Sequence, residues 1–181
     1  METRTHQKKR IITKSPVSRE KHHQMKKLLV LAIAFLLINA VKSQDHKLQF
    51  EVGPTLGIPI GGMHHESNYG LGIEGIVRYK MSDNINYFGQ TGVDFFRGNS
   101  VIITHIPVMA GLRFTANRYI AGMGIGYGLY NFGHGYSQSG FAYSPQIGYN
   151  FNKIDFLLKY NSTLIAPYHY DFISLSWVYK F

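Results

Sequence analysis

One feature limits this chain more than any other: from residue 44 onward its apolar side chains recur at every second position. In the last twelve residues, Ile173, Leu175, Trp177, Tyr179 and Phe181 share one face, while Ser174, Ser176 and Lys180 share the other with Val178. Strict alternation marks a β-strand with one apolar and one polar face. The same period recurs in 47–60, 69–80, 86–95, 105–114, 119–129, 141–151 and 154–163, with Leu157 as an apolar residue on a polar face. The pattern predicts eight strands of roughly 10 to 13 residues, against about 5 to 6 for strands of soluble domains. A strand that crosses a bilayer needs about 9 to 11 residues, and bacterial membrane barrels start at eight strands. The expected fold is all-β: an eight-stranded antiparallel up-and-down transmembrane β-barrel.

The connections support that reading. Ser82-Asp83-Asn84, Thr115-Ala116-Asn117 and Asn152-Lys153 read as tight turns, whereas 61–68, 97–100, 131–139 and 164–169 read as mostly longer loops. Short turns at one end and longer loops at the other is the outer-membrane arrangement. Tyr79, Tyr87, Phe114, Tyr119, Tyr149, Phe151, Tyr179 and Phe181 fall near the short turns. Tyr69, Phe95, Tyr127, Phe141 and Tyr143 fall near the loops. Two aromatic girdles at the membrane interfaces are expected of such a barrel. A soluble lipocalin-like barrel also has eight strands, but it would turn the apolar faces inward.

The N-terminal part is a different kind of polypeptide. The 181-residue chain carries a formal charge of +9, yet ten of its 19 Lys and Arg precede residue 44. All 19 glycines and all 13 tyrosines follow it. Met25-Lys26-Lys27, the apolar run from Leu28 to Ile38 and the small Ser43 read as a cleavable signal peptide over 25–43. Residues 1–24 read as a disordered basic extension, an upstream start ahead of Met25. The expected mature domain is 44–181, close to neutral, and the nucleic-acid reading invited by the total charge goes with the discarded segment. Cysteine is absent, which excludes a disulfide scaffold, a thiolate metal site and a lipid-anchored N-terminal cysteine.

These features resemble a known family. The signal peptide before Gln44, the segment from Ile106 to Phe114 and the closing Trp177-Val178-Tyr179-Lys180-Phe181 are similar to small outer-membrane β-barrels of the Bacteroidota (PorT-like). The architecture is also similar to the OmpA and OmpX barrels. The resemblance implies a place in the cell outer membrane, among its lipids and lipopolysaccharide. It also implies recognition of Phe181 by the barrel-assembly machinery after export by the secretion machinery. It implies no particular activity.

An eight-stranded lumen is just wide enough for side chains to fill. The polar face holds Glu51, Glu74 and Asp94 with Arg78, Arg113 and Lys159, and these are expected to pair. Glu51 with Arg78, on adjacent strands, is the first pair expected. Gly122, Gly124, Gly126 and Gly128 face inward on one strand and leave room for Arg78, Phe88 or Phe96. The run Gly124-Ile125-Gly126-Tyr127-Gly128 lacks the strand-turn-helix setting of a phosphate loop. His64, His65, His134 and His169 lie in loops, with His105 inward near the same rim; their spacing matches no metal motif, so they are expected to be solvated. Ser139, Ser144, Ser162 and Ser174 stand in no recognisable nucleophile setting. No catalytic, cofactor or metal residue is therefore assigned, and the chain is read as a non-enzymatic structural or surface-interaction barrel with a plugged lumen. The alternatives are small-ligand or ion binding or transport through the lumen or loops, and a lipid-modifying outer-membrane enzyme.

Overall fold

A computed structural model describes residues 47–65, 67–98, 101–133 and 135–181. The segments read as basic extension and signal peptide lie outside the described residues, as does His134. Eight strands follow one another: β1 (Leu48–Ile60), β2 (Ser67–Lys80), β3 (Ile85–Gly98), β4 (Ile102–Ala116), β5 (Tyr119–Asn131), β6 (Ser137–Phe151), β7 (Ile154–Ile165) and β8 (Tyr168–Lys180). Each pairs antiparallel with the next, and β8 pairs with β1 to close the barrel. Phe181 fastens the seam by donating its N–H to the carbonyl of Phe50 at 2.9 Å. Closure leaves no unpaired edge, which is what permits so much β-structure in one sheet.

The strands are 12 to 15 residues long, and they extend into segments that sequence turn signals assign to loops. At 164–169 only Ala166 and Pro167 connect β7 to β8. At the opposite end, Asn117 and Asn152 adopt φ of 55° and 51° and begin the two-residue turns to β5 and β7. Asparagine is one of the few residues that enters this left-handed region at small cost. The β2–β3 turn is held by the Ser82 hydroxyl, which accepts the Ile85 N–H at 3.1 Å.

Side-chain orientation follows the alternation. On β8, Phe172, Ser174, Ser176, Val178 and Lys180 are buried, while Ile173, Leu175, Trp177 and Tyr179 are exposed. On β2, Glu74, Ile76 and Arg78 are buried between exposed Leu71, Ile73, Val77 and Tyr79. The charged side chains are inside and the aliphatic ones outside, the reverse of a lipocalin-like barrel. Leu157 is fully buried, as its polar-face position requires. Exposed Tyr79, Tyr87, Phe114, Tyr119, Phe151, Tyr179 and Phe181 ring the short-turn end, with Tyr119 and Tyr149 edge to face at 5.5 Å.

Four ladders are interrupted: β2–β3 between Ser67 and Gly70, and three others each at a proline. Pro54 lies at the break between β1 and β8, Pro107 between β3 and β4, and Pro145 between β6 and β7. Proline has no N–H to give the ladder. At the β3–β4 gap Thr91 compensates by donating its hydroxyl to the Pro107 carbonyl at 2.9 Å.

Candidate functional site: the filled lumen

The inward faces of the eight strands build a layered interior. At the short-turn end lies a cluster of five charges. Arg78 Nη2 is 2.6 Å from Glu51 Oε1, and Arg113 Nη1 is 3.2 Å from Glu51 Oε2. Lys180 Nζ donates to Asp155 Oδ1 at 2.8 Å, and both arginines also face Asp155 Oδ2, at 3.7 and 3.9 Å. Gln49 and Gln146 accept from the two guanidiniums, Gln146 at 3.2 Å. The Phe88 ring lies 5.2 Å from the Arg113 guanidinium carbon. All of these charges are at least nine-tenths buried. They persist there because each is met by an opposite charge, and the two guanidiniums are met by glutamine oxygens as well.

The pair expected from sequence, Glu51 with Arg78, forms. Asp155 and Lys180 were absent from the set expected to pair. Both sit on polar faces of the last hairpin, and the alternation alone was enough to place them in the lumen. The glycines of β5 make room for Phe88, as expected, and also for Thr163. A Cβ on Gly124 would meet Phe88 at 3.3 Å, and one on Gly128 would meet Thr163 at 2.5 Å. Phe96 instead packs over Gly57 and Gly70, and Arg78 is not among the nearest neighbours of the four glycines.

Above the base, Lys159 donates to Glu74 across the lumen. An apolar layer of Ile76, Phe88, Ile120, Leu157 and Val178 packs beside them. Ser144 donates to Asn161 Oδ1 at 2.9 Å, and Asn161 donates to Ser174 at 2.8 Å. Asp94 accepts from the Thr55 hydroxyl at 2.6 Å, and its other oxygen lies 3.1 Å from His105 Nδ1. The loop end is closed by Met63, Phe96, Ile103, Tyr130, Ile165 and Phe172, a tightly packed and largely aromatic plug. Phe96 and Phe172 meet edge to face at 4.9 Å, and His105 lies against Tyr130 at 4.5 Å. A short 3-10 helix, Gly61–His65, carries Met63 into this plug and leaves His64 and His65 exposed.

Among the described histidines, His65 and His169 line one cavity at the loop end. His105 is buried against Asp94, and His64, His65 and His169 are exposed on the outside of the plug. Among the described residues no group of three or more His, Cys, Asp or Glu is placed to hold a metal ion. Ser144 and Ser174 bond to Asn161, and Ser139 is exposed. None of these serines contacts a histidine.

No protein-family model and no curated relative matches the chain. Solved structures do. Ail, the attachment invasion locus protein of Yersinia pestis, aligns over 75% of this chain and 98% of its own, at 15% identity and a TM-score of 0.55. The same protein in a phospholipid bilayer nanodisc aligns over 75% and 99% at 15% identity, with a TM-score of 0.53. The N-terminal β-barrel domain of Pseudomonas aeruginosa OprF aligns over 74% and 97%, at 10% identity and 0.51. The chain has the fold of the small outer-membrane barrels. At such low identity the likeness carries the fold and no activity.

Proposed function

We propose that this chain is an integral outer-membrane β-barrel whose role is structural or surface-interacting, with a lumen closed by its own side chains. The observation that carries the reading is the filling of the interior. Glu51, Glu74 and Asp155 pair with Arg78, Arg113, Lys159 and Lys180 within it, Asp94 bonds Thr55 and His105, and the aromatic plug covers the loop end. An interior so filled leaves its lumen charges bonded to one another rather than to a passing ion. The exposed aliphatic wall, with tyrosines and phenylalanines at both ends, suits a hydrocarbon slab flanked by two interfaces.

Further parts of the proposal rest on sequence. Export by a signal peptide over 25–43 rests on its charged start and apolar core. Engagement of the assembly machinery rests on Phe181 and the alternating apolar residues before it. Kinship with the Bacteroidota (PorT-like) barrels rests on the segments Ile106 to Phe114 and Trp177 to Phe181. The surface role is supported by likeness in fold to Ail, an attachment invasion locus protein. The non-enzymatic reading rests on Ser139, Ser144, Ser162 and Ser174 standing in no recognisable nucleophile motif in the sequence.

Planar-bilayer recording tests the closed lumen. The purified barrel, shown to be folded by heat-modifiable gel migration, is expected to give no stable ohmic conductance. Steady single-channel steps from the folded protein would contradict a plugged lumen.

A further inference from the structure

On the exterior wall an apolar groove and an unpaired cation meet near the loop end. Near the loop end, Tyr69 and Leu71 of β2, Phe95 and Arg97 of β3, and Val101 with Ile102 beside them line a groove of about 470 Å³. Leu71 and Phe95 are cross-strand partners, as are Arg97 and Ile102, so the apolar floor runs continuously up to the guanidinium. Tyr69 and Phe95 belong to the loop-end girdle, which places Arg97 at the headgroup level of the surrounding leaflet. Arg97 is exposed and forms no salt bridge or side-chain hydrogen bond among the described residues. It is also the one Lys or Arg at that end among them. At the other rim, by contrast, Lys80 is held by Asp83 at 2.9 Å.

We propose that this groove holds a phosphate-bearing lipid of the surrounding leaflet, with the phosphate on Arg97 and one acyl chain along Tyr69, Leu71, Phe95 and Ile102. The assignment rests on the membrane reading above. A guanidinium matches phosphate oxygens through two parallel N–H donors, and the groove below it is apolar and faces where acyl chains run. The two halves of the site therefore call for an amphiphile with an anionic head. A free phosphate would leave the groove unused, and an uncharged lipid would leave Arg97 unpaired.

The test uses the full chain folded in detergent micelles, with bound lipid read by native mass spectrometry. Three probes are compared: phosphatidic acid, diacylglycerol with the same chains, and inorganic phosphate. Phosphatidic acid should be retained over diacylglycerol, and inorganic phosphate should fail to displace it. R97Q should lower retention about fivefold, the weight of one cation near a lipid headgroup. R97K, which keeps the charge and loses the fork, should fall between. L71W, which fills the groove with Arg97 in place, should also lower retention, while R118Q at the opposite rim should leave it unchanged. Equal retention by R97Q and R118Q would overturn the proposal. So would diacylglycerol held as well as phosphatidic acid, or displacement by inorganic phosphate. Heat-modifiable migration is checked for each variant; a native chain that does not fold in micelles would contradict the membrane reading itself.

Discussion

The base of the lumen holds two carboxylates, Glu51 and Asp155, against three cations, Arg78, Arg113 and Lys180. This odd count makes carboxylate and cation deletions unequal. E51Q leaves one carboxylate facing three buried cations, and it removes the contacts at 2.6 and 3.2 Å that neutralise Arg78 and Arg113. Breaking a buried pair from one side costs about 3–5 kcal/mol, because the abandoned charge stays out of water. R113M instead leaves two carboxylates and two cations. Glu51 keeps Arg78, and Asp155 keeps Lys180 at 2.8 Å. Its main loss is the partner of Gln146 Oε1, which leaves a buried amide oxygen unpaired at about 1–3 kcal/mol. The lone tryptophan, Trp177, sits on the outer wall of β8 and reports folding by fluorescence. In urea titrations of micelle-folded protein, with a slope of about 2 kcal/mol per M, E51Q should lower the midpoint by roughly 2 M and R113M by less, about 1 M. An R113M midpoint below that of E51Q would refute the charge counting, as would two variants indistinguishable from the native chain.

Other expectations follow from the same geometry. Glu74 and Lys159 bond to each other across the lumen, so E74Q and K159M should each destabilise by about 3–5 kcal/mol, while the double variant should recover much of that in a double-mutant cycle. A Cβ on Gly126 would lie 2.1 Å from the Val108 carbonyl oxygen, whereas one on Gly89 would meet nothing within 4 Å; G126A should reduce the yield of heat-modifiable barrel and G89A should not. In the exposed β2–β3 turn, the hydrogen bond and charge of Lys80 hold the Asp83 carboxyl below the ordinary carboxylate range. Any stability it gives is present at neutral pH and fades as pH falls through that lowered value; an NMR titration should show the Asp83 value returning to normal in K80M.

How much of this was legible in the sequence differs by layer. Which residues face inward could be read from parity alone, down to Leu157, because a strand side chain has only two directions to choose from. The Glu51–Arg78 pair was legible because the two residues share one hairpin. The links from Arg113 to Glu51 and from Lys159 to Glu74 cross 62 and 85 residues and depend on how the closed barrel sets its strands across the lumen, which no local pattern encodes. Asp155 shows the cost of that gap: its face was readable, but its shared role between Lys180 and the arginines was not. Loop lengths were overestimated at 164–169 because Pro167 and the polar residues around it signal a turn without saying how closely the strands approach it. Arg97 was hidden for a similar reason, since its groove is assembled from three strands.

The central claim is that the apolar faces meet lipid while the charges stay inside, and Trp177 tests it most directly. In vesicles, lipids brominated along their acyl chains should quench Trp177 strongly, and aqueous iodide should leave it bright. Strong iodide quenching without bromine quenching, or a folded protein that stays soluble without detergent or lipid, would contradict the account.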